Sequence, residues 1–304
     1  MPEGQEGAGG LAARFLDHAA TRPEEPWLFL QEGWDWRWTA FGEVAGRAAA
    51  TAEAVGDLAP GARVGYAARL SPALVAADLA LQAAGLVAVP IDPELAPPER
   101  REAVRARQCC AWLELGDDSP VEAPVPLVRR APSLEAAKVG SLGALQDSVP
   151  AAFPARQPGG ALVVTEGECR EIDAGSLVEL ARALAETLGP GPKREITVLA
   201  RCLEEPLARL LLAWATLSGA AVVLEPDGVA FLTTAAWARP TVLAGTAADL
   251  ETALVRAEAG GKGPRSPFGR LRFWLVAESE GVPHRVAARW QARGVGILPV
   301  TLPG

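Results

Sequence analysis

Apolar residues in this chain follow two rhythms that replace one another repeatedly. Short runs such as "LVAVPI" (Leu86 to Ile91), "ITVLA" (Ile196 to Ala200) and "AAVVL" (Ala220 to Leu224) are nearly all apolar. That is the pattern of strands buried on both faces of a parallel sheet. Between them lie stretches whose apolar positions recur every three or four residues, the mark of amphipathic helices. "SPALVAADLALQAAG" carries Ser71 to cap, Pro72 at the first helical position and Gly85 past the end, three signals that agree on a helix. Leu177, Leu180, Leu184 and Leu188 form one stripe of a helix from Ser176, where Ser176 and Glu179 fit a capping box. "WLFLQEGWDWRWTAF" (Trp27 to Phe41) instead alternates around a glycine and predicts a β-hairpin, after which Thr39 is placed to cap the next helix.

Strands alternating with helices of this length predict an α/β fold: two doubly wound, mostly parallel sheets flanked by helices. The expected organisation is a flexible N-terminus at 1–10, a first α/β subdomain at 11–115, a crossing segment at 116–158 and a second subdomain at 159–304. The crossing is marked by Pro120, Pro124, Pro126, Pro132, Pro150, Pro154 and Pro158, with one weak strand at "VPLVRR".

Charge narrows the partners. With 29 basic against 37 acidic residues and a net charge of −8, neither nucleic acid nor an anionic membrane is an expected partner. The most apolar run, Leu74 to Ile91, contains Asp78, Gln82 and Gly85, so it reads as a helix and a strand, not as a membrane span. The N-terminus lacks the basic and apolar regions of a secretion signal, and a cytoplasmic location is expected. Cys109, Cys110, Cys169 and Cys202 form no CxxC pair, and the histidines are His18 and His284; no metal site is expected. Adjacent Cys109 and Cys110 read as small packing thiols or as a redox pair.

The order of segments resembles the acyl-adenylate-forming, AMP-binding synthetases: acyl-CoA synthetases, aryl-CoA ligases and the adenylation domains of peptide synthetases. The likeness rests on the hairpin and helix "WDWRWTAFGEVAGRAAATAEAV" and on the strand, helix and "GLVAVPIDP" that follow. It continues in "LARLLLAWATLSGAAVVLEP", "RPTVLAGTAADL" and the run from Arg270 to Val300. It implies the large N-terminal body of such an enzyme.

The nucleotide-handling motifs depart from that family. Its phosphate loop reads about TSGTTGxPKG, where small residues let backbone N–H groups wrap phosphates. Here the corresponding positions are Thr165, Glu166, Gly167, Glu168 and Cys169, about five residues shorter and bearing two carboxylates in place of small residues. A carboxylate about 5 Å from a phosphate charge costs roughly 3 kcal/mol at an effective dielectric near 20. A helix dipole returns about 0.3–1 kcal/mol. The turn therefore reads as a degenerate phosphate loop feeding the helix at Ser176, or as a plain connection. The family's magnesium-binding glutamate motif and its C-terminal lid with the catalytic lysine have no counterpart in this sequence.

What the resemblance leaves is a relic acyl pocket around Glu204, Glu205, Trp214, Thr246 and Trp274, with Trp237 nearby, and an alternating aromatic face at Trp34, Trp36 and Trp38 that is either packed or a docking patch. No catalytic residue is assigned. The expected function is a non-catalytic binding or partner module that has lost ATP binding and adenylation. It would engage a protein partner, such as an intact synthetase or a carrier protein, or a second copy. The alternative is one half of a split acyl-CoA or aryl-CoA ligase, which alone would call for ATP and magnesium.

Overall fold

The computed structural model describes residues 10–32, 35–67, 69–115, 128–131, 160–165, 168–189, 195–200, 203, 205–226, 230–260 and 267–301. The strands are β1 (Pro26–Glu32), β2 (Asp35–Ala40), β3 (Arg63–Tyr66), β4 (Val87–Pro90), β5 (Ala111–Leu115), β6 (Val128–Ala131), β7 (Gly160–Thr165), β8 (Glu168–Asp173), β9 (Ile196–Leu199), β10 (Ala221–Leu224), β11 (Val242–Ala244), β12 (Phe273–Ala277) and β13 (Gly296–Val300). The helices are α1 (Leu11–Thr21), α2 (Phe41–Ala54), α3 (Pro72–Ala83), α4 (Pro97–Ala106), α5 (Ala174–Leu188), α6 (Pro206–Ser218), α7 (Phe231–Ala238), α8 (Ala247–Ala259) and α9 (His284–Gln291).

These strands form a seven-stranded sheet in the order β13-β12-β11-β9-β10-β1-β2 and a six-stranded sheet in the order β6-β5-β3-β4-β7-β8. Every pairing is parallel except β1 with β2 and β7 with β8, so each sheet ends in an antiparallel hairpin. The expected two-sheet α/β architecture is the one observed. The sheets do not divide along the chain at 116–158, however: the early hairpin β1–β2 completes the late sheet, and β7–β8 completes the early one.

One apolar cluster draws side chains from both sheets, Val64 and Ala88 from one and Leu28 and Val222 from the other. Helix α1 packs against α2, α3 and α6 within it. The opposite face of the seven-stranded sheet holds a second cluster in which Val198 and Val223 meet Phe231, Leu250, Trp274 and Trp290. A smaller third cluster joins Val87 and Val89 to Val104 of α4 and Trp112. Adjacent residues such as Val222 and Val223 thus enter different cores, which is why these strands are apolar at every position. Phe15, Trp27 and Phe41 pack together at centroid distances of 5.0–6.0 Å, with Trp27 stacked on Phe41, and the Trp27 indole donates to the Ala220 carbonyl at 2.9 Å, fastening the early hairpin to β10.

The run from Leu74 to Ile91 is the expected helix and strand, capped as expected: the Ser71 hydroxyl accepts the Leu74 N–H and Pro72 opens α3. No helix among the described residues is long and apolar enough to cross a membrane. Two capping assignments need correction. Thr39 lies inside β2, and α2 is capped at Ala40, whose N–H donates to the Glu43 carboxylate at 3.3 Å. The turn at Gly167 does not lead into a helix at Ser176. Instead β8 intervenes, and Asp173 is the cap of α5, accepting the Ser176 N–H at 2.9 Å. The Ser176 hydroxyl and then its N–H hold the Asp173 carboxyl below the usual carboxylate range. The carboxylate four positions ahead of the stripe outcompetes the serine because it can accept from both Ser176 donors at once.

Candidate functional site

The chain leaves β9 toward β10 on one side and returns to β11 on the other. The carboxyl ends of β9 and β11 therefore splay their outgoing loops in opposite directions and open a crevice, the usual ligand position of an open α/β sheet. A pocket of about 40 Å³ lies there, between Ala200 after β9 and Gly245 and Thr246 after β11. Phe231 of α7, Leu211 of α6, Glu205 and Glu280 also line it. This volume suits a group of a few atoms, since one water occupies roughly 10–15 Å³ on the same measure.

The crevice is acidic by construction. Thr246 caps α8 in a reciprocal box with Asp249: its hydroxyl accepts the Asp249 N–H at 3.0 Å, and the Asp249 carboxylate accepts the Thr246 N–H at 2.9 Å. The Ala247 N–H donates to Glu280 at 2.7 Å. The amino end of α8, which elsewhere attracts an anion, is thus already served by two carboxylates of the protein itself. Glu205 is the N-cap residue of α6 and lines the same pocket. Gly245 lies close beneath: a Cβ there would lie 3.1 Å from the Trp274 ring, so any side chain would press on it.

The residues singled out in the sequence separate into three places. Glu205 and Thr246 come together at the pocket. Trp214 and Trp274 are 2% and 0% exposed and belong to the two different cores; neither is in the pocket wall. Trp237, on α7, is 72% exposed. Glu204, Glu166, Gly167 and Trp34 lie outside the described residues. Thr165 ends β7 directly opposite Glu168 at the start of β8, and Cys169 on β8 is exposed. Trp36 and Trp38 are exposed on β2. The segments "ITVLA" and "TVLAG", which end in Ala200 and Gly245, stood out in the sequence, but Phe231 carried no local signal. They become neighbours only when β9 and β11 pair.

Solved structures share this fold, three of them as follows. A nonribosomal peptide synthetase, FmoA3 (S1046A), superposes with a TM-score of 0.78 at 19% identity over 97% of this chain and 31% of its own. The chain thus spans about a third of that protein's length. The N-terminal subdomain of NpsA from Klebsiella oxytoca gives 0.70 at 17% identity, covering 95% of this chain and 72% of that one. The N-terminal domain of FACL13 from Mycobacterium tuberculosis gives 0.69 at 16% identity, covering 97% and 76%. No curated protein sequence matches significantly. The family model described as AMP-binding enzyme matches residues 15–171, just over half of the sequence, and with the two-sheet body and its acidic switch-point crevice described above, the chain belongs to that family.

Proposed function

We propose that this protein is the N-terminal body of an adenylate-forming enzyme that has lost ATP binding and serves as a non-catalytic module engaging a protein partner in the cytoplasm. The observation that carries this reading is the direct pairing of Thr165 with Glu168. Two residues, Glu166 and Gly167, are left to join the strands, in a segment about five residues shorter than the family's phosphate loop. A connection of two residues supplies too few backbone N–H groups to cradle a polyphosphate. Its sequence adds carboxylates at the same place. ATP and magnesium do not fit the residues present.

The switch-point pocket supports the same reading. Its helix terminus is occupied by Asp249 and Glu280, with Glu205 nearby, an arrangement that repels an adenylate. The family's partners, an intact synthetase or a carrier protein, are the natural candidates for engagement. One feature favours the second reading, half of a split ligase: a pocket persists at the β9–β11 crevice, walled by Phe231 and Leu211, where an acyl or aryl group would enter.

Titration calorimetry with ATP and magnesium, and pyrophosphate exchange across a panel of fatty and aromatic acids, decide between these readings. The expected result is no heat and no exchange. Exchange above background by the chain alone overturns the proposal; exchange appearing only when a second chain is added establishes the split ligase.

A further inference from the structure

Strand β2 ends the seven-stranded sheet, and among the described residues its outer edge pairs with no other strand. An open edge presents a row of backbone N–H and C=O groups that templates another chain unless it is blunted. This edge is six residues long, without proline, and residues 35 to 38 are exposed whichever face they occupy. Trp36 and Trp38 are 39% and 54% exposed. Trp38 stands opposite Phe29, and Phe29 opposite Val223, so the tryptophans lie on the face of the sheet that carries α7 and the second core. Trp237 of α7 is exposed on that same side. Asp35 and Arg37 alternate onto the other face.

The sequence of this edge is complementary to itself. In an antiparallel pair centred on Trp36, Asp35 stands opposite Arg37 of the second copy, Arg37 opposite the second Asp35, and Trp36 opposite Trp36. A twofold axis normal to the sheet keeps the aromatic faces together and the charged faces together. The neighbouring symmetric registers set Arg37 against Arg37 or Asp35 against Asp35, which like-charge repulsion disfavours. A self-complementary patch meeting its own copy is the geometry of a closed twofold dimer, and an aromatic centre flanked by paired charges is what a specific interface needs.

We infer that β2 is the dimerisation strand of this protein: two copies pair β2 antiparallel about Trp36, joining their seven-stranded sheets edge to edge. The assignment is independent of whether a nucleotide binds. The partner is a second copy because the charge pattern across the edge satisfies itself in one register.

Sedimentation equilibrium of the whole chain tests it by charge exchange. The wild type runs as a dimer. Arg37→Asp and Asp35→Arg, each of which converts two opposite-charge pairs into like-charge pairs, weaken the dimer by about tenfold or more. Mixing the two variants restores a dimer containing one chain of each, since Arg at 35 and 37 now faces Asp at 37 and 35. The exchanged double variant, Asp35→Arg with Arg37→Asp, again forms a homodimer. Recovery on mixing cannot come from misfolded chains, so loss of fold and loss of pairing are separated. A monomeric wild type, dimers indifferent to both single substitutions, or failure of the mixture to form the mixed dimer each overturn the assignment.

Discussion

The Asp78 carboxylate on α3 and the Arg209 guanidinium on α6 form an ion pair in which each side chain is 1% exposed, with Arg209 Nη1 2.5 Å from both carboxylate oxygens. The Tyr66 hydroxyl donates to the same carboxylate at 2.6 Å and the Gln82 amide at 2.7 Å, while Arg209 Nε donates to the Leu203 carbonyl at 3.0 Å. Tyr66 and Asp78 belong to the six-stranded side and Arg209 to the helix linking β9 and β10, so the network couples the two sheets. Burial opposes the Arg209 charge, but Asp78 more than offsets it and raises its pKa; burial and then Asp78 raise that of Tyr66.

Removing one member leaves a buried charge without its partner. Asp78→Asn should therefore destabilise the fold by about 3–5 kcal/mol, whereas the joint change Asp78→Leu with Arg209→Met should cost much less. Urea denaturation of the three proteins checks the order; equal losses for the single and joint variants would contradict it.

Acid should weaken the fold through His18. Its ring accepts from Arg22 at Nδ1 (2.9 Å) and donates from Nε2 to the Leu217 carbonyl at 3.2 Å, the neutral tautomer those partners select. Burial first, and then Arg22 against the opposing Leu217 bond, lower its pKa. The unfolded chain takes up this proton at about 6.5 while the folded one still excludes it, so stability falls as pH drops below about 7. His18→Gln should flatten that slope between pH 7 and 5 in thermal melts.

Alkali should weaken it through Cys109, whose thiol burial pushes up to about 12. Above pH 9 the unfolded chain has lost the proton that the folded chain keeps, and stability falls with rising pH. Cys109→Ala removes that contribution. Alkylation of the native protein near neutral pH should modify the exposed Cys110 and Cys169 and spare Cys109, as read by peptide mass.

Gly219 ends α6 at a φ of +68°, and a Cβ there would sit 1.7 Å from Arg22 Nη2. Gly219→Ala should cost about 1–3 kcal/mol, part from the left-handed backbone and part from displacing Arg22. In an Arg22→Ala background the cost should shrink to the backbone part, a non-additivity that a double-mutant cycle measures.

Removing acid from the segment at Glu166 and Glu168 should not produce nucleotide binding. Glu166→Ser with Glu168→Thr abolishes the repulsion but leaves two residues between Thr165 and Glu168. Calorimetry should show no ATP heat for the double variant; measurable binding would mean that charge, not loop length, had closed the site.

Much of this molecule was legible in residue order alone. All-apolar runs marked buried strands because both faces of each sheet are covered, and Ser71, Pro72 and Gly85 bracketed α3 because helix ends have local chemical needs. The capping error at Ser176 has a local cause. Alternation in "ECREID" is weak, with Ile172 alone buried among polar neighbours, so nothing local announced that β8 would pair with β7.

Local chemistry therefore prescribed the α/β layering, the helix faces and the acidity of the loop at Glu166 and Glu168. Which strand joins which sheet was settled by folding: the hairpins β1–β2 and β7–β8 cross over to the sheets built from the opposite end of the chain. The pocket shared by Glu205, Thr246 and Phe231, the burial of Asp78 against Arg209, and the open edge at β2 all follow from that pairing. Such relations depend on long-range register, which binds residues through backbone hydrogen bonds between distant segments and leaves no trace in the pattern of either segment.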